Sequence, residues 1–129
     1  TDADIKMPYK LPSILQNAGI EYAISLSFSH WNMRNLPFTA GTAVANGLTK
    51  EQALQSITLT PAKILRIDNM TGSLESGKEA TLLICEGDIL DMETSIVERA
   101  FIKGREIEIK NWQYENYEKY STKYGIEIK

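Results

Sequence analysis

The chain has 129 residues, 43% of them hydrophobic, with a net charge of −3 and a single cysteine, Cys85. That length suits one domain with a real core, and the composition is not that of a disordered chain. The acidic balance gives no electrostatic reason to expect nucleic acid or an anionic membrane as partner, one cysteine allows no internal disulfide, and no apolar run approaches the roughly 20 residues needed to cross a bilayer.

Residues 1–10 read as polar and irregular, punctuated by Pro8 and then Pro12. Residues 11–18 are expected to form a short helix with Pro12 in its first turn, Leu11, Ile14, Leu15 and Ala18 on one face, and Gly19 as C-cap. Residues 22–28 are expected to form a strand. Tyr22, Ile24, Leu26 and Phe28 alternate with Ala23, Ser25 and Ser27, and one such strand needs a neighbour to pair with.

The next block is helical. Ala40, Ala43, Val44, Gly47 and Leu48 recur at helical spacing. Thr49 to Gln52 reads as a capping box, with Ala53, Leu54 and Ile57 behind it. Thr60 then serves as an N-cap with Pro61 at the first position of a helix over 62–67. Beyond Asp68 the signals turn to β. Strands are expected over 81–85, 96–102 and 107–109, the last two joined by a two-residue turn at Lys103-Gly104. Residues 111–123 read as a final helix.

Residues 27–43 hold the sole histidine, His30, beside Trp31, Asn32, Arg34 and Asn35, yet residues 22–50 contain no aspartate or glutamate. A Ser–His pair with Ser27 or Ser29 is disfavoured: neighbouring strand residues point to opposite faces, and no carboxylate is near to orient the imidazole. Metal ligation by His30 wants three or four donors that the stretch does not supply. Trp31, Asn32, Arg34 and Asn35 read equally well as a substrate-facing loop, with Arg34 clamping a carboxylate, or as a helix entry that packs. Tyr114, Tyr117, Tyr120 and Tyr124 share one helical face with Trp112 just before. Glu115, Glu118 and the net charge favour a packed or interchain face over base stacking. Glu86, Asp88, Asp91 and Glu93 lack the spacing of a calcium loop and read as solvated.

From residue 46 onwards the pattern becomes specific. Gly47-Leu48, Glu51, Ala53-Leu54, Thr60-Pro61-Ala62, Leu65, Gly72, Leu74-Glu75, Gly77-Lys78, Ala80, Leu82, Asp88 and Gly104-Arg105 fall in one order and spacing. That order resembles the C-terminal end of the amidohydrolase superfamily, near its imidazolonepropionase-like and dipeptidase-like members. Residues 11–20 and the Arg34-Asn35-Leu36-Pro37-Phe38 run with Ala40-Gly41 resemble it as well.

The resemblance implies an α/β fold: the last strand and helices of a (β/α)₈ barrel over 1–67, part of a small β-sandwich over 68–110, and a C-terminal helix and tail over 111–129. It implies a hydrolase in which zinc or a similar divalent metal activates a water for attack on a carbon–nitrogen centre other than an ordinary peptide bond. The family's metal donors are an H-x-H pair, two later histidines and an aspartate at the end of the eighth strand. Ser27, Phe28 and Ser29 stand where that aspartate is expected, and the histidines belong to earlier strands. A whole barrel takes roughly 250 residues.

The expectation is therefore a piece of such an enzyme with no catalytic residue and no metal ligand of its own. His30, Trp31, Arg34 and Asn35 would be the substrate-binding residues. A non-catalytic oligomerisation or scaffold module derived from the same fold is the rival. The expected partner is a second copy or the missing N-terminal barrel portion, not nucleic acid or membrane. The compartment stays open between cytoplasm and periplasm.

Overall fold

The computed structural model describes residues 4–26, 30–109 and 111–126, with the side chains of His30 and Trp31 left aside. The described residues form α1 (Met7–Asn17), α2 (His30–Met33), α3 (Leu36–Val44), α4 (Lys50–Ile57), α5 (Leu59–Ile64), β1 (Leu82–Glu86), β2 (Ile96–Ile102), β3 (Arg105–Ile107) and α6 (Trp112–Tyr124), in that order.

Helix α1 starts a turn earlier than its apolar spacing suggests. Asp4 is the reason: its carboxylate accepts the Lys6 amide at 2.9 Å and the Lys10 ammonium at 2.6 Å, and its carbonyl accepts the Met7 amide. Pro8 occupies the first turn, so Pro12 lies inside the helix, where its missing N–H leaves the Pro8 carbonyl without a helical donor.

The segment 20–26 corrects the strand expectation. It forms no ladder, and its backbone is tied to the rest by Ile20 N–H to the Leu15 carbonyl and Ile24 N–H to the Ser56 carbonyl, both at 3.0 Å. The alternation is still present: Tyr22, Ile24 and Leu26 are half-buried while Glu21, Ala23 and Ser25 are exposed. A period-two pattern sets which side chains turn inward, but a strand also requires an edge to pair with. Residues 27–29, which include the end of the expected strand, lie outside the described residues.

Helix α3 ends before Gly47. Gly47 N–H bonds the Val44 carbonyl at 3.2 Å and Leu48 N–H bonds the Ala43 carbonyl at 3.1 Å. This is the paired closure of a Schellman motif, with Gly47 at φ 114° in the position that tolerates a positive angle. Leu48 is thereby folded back under the helix instead of extending it. The capping box at Thr49 forms as expected, with Gln52 N–H to Thr49 Oγ1 and Thr49 N–H to Gln52 Oε1. In α4 the inward residues are Ala53 and Ser56, whereas Leu54 faces out. Ser56 is tolerated inside because its hydroxyl donates to the Ala53 carbonyl at 2.7 Å. Helix α5 begins at Leu59, before Thr60, and ends with Arg66 at φ 58°.

The three strands make one antiparallel sheet in the order β1-β2-β3. A register shift at Ile84/Cys85 marks a bulge in the first pair. Lys103 and Gly104 both have positive φ, 50° and 78°, as a type I′ hairpin demands. Arg99 grips Glu106 with two bonds of 2.7 and 2.9 Å across β2 and β3, and its guanidinium lies 5.0 Å from the Phe101 ring centre.

The core is small. Ala40, Ala43, Leu48, Ala53 and Leu90 form it, with Ile24, Val44, Ile57 and Ile89 packed around. Its alanines bring α3 and α4 close together. At Gly41 a side chain would collide with the Leu90 carbonyl, which ties the 88–92 loop onto α3. No large side chain among the described residues is fully buried. The accessible surface is 10156 Å², against about 6,900 Å² for a compact monomer of this mass. The aromatic face of α6 is part of the difference: Tyr114, Tyr117, Tyr120 and Tyr124 remain close to half exposed or more, so the expected packing of that face is not formed within the described residues.

Candidate functional site

The four residues expected to meet a substrate lie in a short helical stretch and not in an open loop. His30 and Trp31 begin the single turn α2, and their side chains lie outside the description. Asn35 N–H bonds the Asn32 carbonyl at 2.8 Å, closing the turn. Asn35 then heads α3 and its carbonyl accepts both the amide and the hydroxyl of Thr39. Its side chain makes no cap bond. Arg34 is exposed and, among the described residues, forms no ion pair. The backbone thus brings the four together on the entry to α3.

The described residues also form two depressions. One, of about 500 Å³, lies between α3 and the 88–92 loop, with Phe38, Thr42, Leu90 and Met92 on its walls and Lys50 and Asp88 at its edge. Lys50 Nζ sits 2.5 Å from Asp88 Oδ2. The ammonium of Lys50, followed by the Leu90 amide, holds the Asp88 carboxyl below the usual carboxylate range, and Asp88 in turn raises Lys50. The other, of about 220 Å³, lies beneath residues 19–22. Tyr22 lines it, burial pushes its phenol upward, and its hydroxyl is sealed from solvent with no hydrogen-bond partner among the described residues.

Neither Tyr22 nor the Lys50–Asp88 pair is a site candidate from sequence. Tyr22 reads there simply as a strand former, and Lys50 and Asp88 are joined only through the fold. Among the described residues no three of His, Cys, Asp and Glu come together as a metal-binding group. The acidic loop shows why count alone misleads. Asp88 is engaged by Lys50 and the Leu90 amide, and Asp91 accepts the Glu93 amide at 2.9 Å. Cys85 lies in β1 and burial, then Glu98, raise its thiol pKa, which disfavours a thiolate ligand. The side chains described here do not fit a metal centre. Nor is any helix in this region long and apolar enough to cross a membrane.

The mixed arrangement of helices with a three-stranded antiparallel sheet is that of amidohydrolase structures. It superposes on an amidohydrolase from Thermotoga maritima with a TM-score of 0.74 and 28% identity, over 85% of this chain and 29% of that one. A prolidase solved with N-methylphosphonate-L-proline shares the fold at a TM-score of 0.64 and 21% identity, over 79% of this chain and 26% of that one. An adenine deaminase from Rubrobacter xylanophilus is 32% identical over 62 residues, which are 48% of this chain and 10% of that protein. A second, from Methanococcoides burtonii, is 30% identical over 74 residues, 56% of this chain and 12% of that protein.

A model of the amidohydrolase family matches residues 11–110. The chain belongs to that family. It spans about a tenth of the curated relatives and between a quarter and a third of the solved ones, and α6 lies beyond the family match.

Proposed function

We propose that this chain is the C-terminal portion of a metal-dependent amidohydrolase acting on non-peptide or dipeptide-like carbon–nitrogen bonds, inactive by itself and completed by the barrel portion that precedes it in its relatives. The observation that carries this is the uncovered surface. The chain exposes roughly 3,300 Å² more than a compact protein of its mass. An excess of that size matches an obligate interface. Among the described residues the half-buried segment 20–26 joins no ladder, and β1 and β3 each pair on one side only. Burial of Tyr22, Ile24 and Leu26 on one side suits a barrel strand, and β1–β3 suit one layer of a sandwich.

In that assembly a divalent metal would be held by donors outside the side chains described here and would supply an activated water. This chain's own residues bind and orient. Arg34 offers an exposed guanidinium for a substrate carboxylate, and Asn35, the next residue, is the N-cap of α3. His30 and Trp31 add contact area and polarity on the same turn. The test is hydrolysis of dipeptides, imidazolones and adenine by the purified chain with added zinc. No turnover is expected from the chain alone, and turnover is expected once an upstream barrel portion is joined to it. Arg34→Ala is then expected to raise KM for a carboxylate-bearing substrate more than it lowers kcat. Turnover by the isolated chain would refute the assignment.

A further inference from the structure

The start of α3, next to Arg34, lacks the usual local anchors of a helix end. Asn35 makes no side-chain cap bond, and the first turn holds no acidic residue. The contacts that hold α3 come instead from a loop far along the chain.

That loop, residues 88–95, runs beside α3 from its end toward its start. Asp88 pairs with Lys50, just past the end of the helix. The Leu90 carbonyl packs against Gly41 in the middle, where a Cβ would lie 2.1 Å from its oxygen. Met92 lines one groove with Phe38, which belongs to the first turn. The Leu90 side chain is buried in the core with Ala40 and Ala43 of the same helix. The loop is also braced by its own bonds. The Asp88 carboxylate accepts the Leu90 amide at 3.0 Å, the Asp91 carboxylate accepts the Glu93 amide at 2.9 Å, and the Asp91 carbonyl accepts the Ser95 amide at 2.9 Å. A braced loop that touches a short helix at its end, middle and first turn fixes the axis of that helix.

We propose that the 88–95 loop positions the substrate-facing turn, with Asp88, Lys50 and Leu90 as positioning residues that set where Arg34 stands. The inference rests on the reading of Arg34 as a substrate contact and adds the element that holds it in place. Helix α3 has nine residues, too few to absorb a shift along its length, so a displacement at the loop reaches its start.

The test begins on the 129-residue chain. Lys50→Gln and Asp88→Asn each remove a largely exposed ion pair. Such pairs add little to stability, so the fold is kept. Hydrogen exchange is read at the Asn35 and Thr39 amides, which are bonded at the entry to α3, and at the Lys10 and Ala62 amides as controls in α1 and α5. Exchange at Asn35 and Thr39 is expected to rise between about twofold and thirtyfold in either variant. It stays at the parent rate in Lys50→Arg and at both controls, and the double variant adds nothing to the single ones. No change at Asn35 and Thr39, or an equal change at all four amides, overturns the proposal.

In the enzyme completed by its barrel portion, Asp88→Asn is expected to raise KM for a carboxylate-bearing substrate and leave kcat unchanged. A KM unmoved by Asp88→Asn where Arg34→Ala raises it also overturns the positioning role. A KM unmoved by Arg34→Ala overturns the reading of Arg34 instead, and the exchange rates still decide whether the loop holds the turn.

Discussion

Arg66 closes α5 in the left-handed region at φ 58°, with its amide on the Lys63 carbonyl and the next amide on Ala62. This is the same closure that Gly47 gives α3, but here a side chain bears a cost of about 1 kcal/mol or more. Arg66→Gly is expected to stabilise the chain by about 0.5 kcal/mol, after allowing for the freer unfolded chain, read as a higher denaturation midpoint. Gly41→Ala is expected to do the reverse. The new methyl meets the Leu90 carbonyl, and overpacking of this kind costs about 1–3 kcal/mol. Asp88 gives the pH dependence. Its folded pKa is depressed, so its contribution is complete above the unfolded value of about 3.9 and is lost as pH falls through the folded value. Asp88→Asn is expected to make acid unfolding less steep below that pH. Asp4, Glu75 and Glu106 are depressed in the same direction, so a residual acid limb will remain.

At the scale of elements, the Thr49 box ties α4 to the end of α3. Thr49→Ala is expected to cost about 1 kcal/mol, and a cycle with Gln52→Ala should show that the two side chains act together. This box was legible because both partners lie within four residues. So was the Lys103-Gly104 turn, whose backbone demand falls on adjacent positions. The stop at Gly47 was not: helical spacing alone carries Leu48 onto α3, whereas the left-handed glycine turns it under. The segment 20–26 was half legible. Its alternation is written in Tyr22, Ile24 and Leu26, but a ladder depends on a second strand. The reason for Gly41 in the motif was invisible, since it lies in the approach of a carbonyl from the 88–92 loop. The candidate site was legible as a cluster, His30 to Asn35, because it is contiguous. Tyr22 and the Lys50–Asp88 pair were not, because the fold alone gives them their surroundings.

At the scale of the molecule, family membership and exposed area point the same way. A family match covers residues 11–110, and the core is small and mostly alanine, as the proposed covering portion requires. In isolation the chain is expected to associate at tens of micromolar, seen by sedimentation as a mass that rises with concentration; a monomer throughout would contradict the interface. The most direct measurement is zinc per chain, by elemental analysis, on the 129-residue protein purified without chelator or affinity tag. Near-zero tightly held zinc is expected, because among the described residues no three of His, Cys, Asp and Glu come together as a metal-binding group. One or more tightly bound ions per chain would contradict this and place a metal centre in the chain itself.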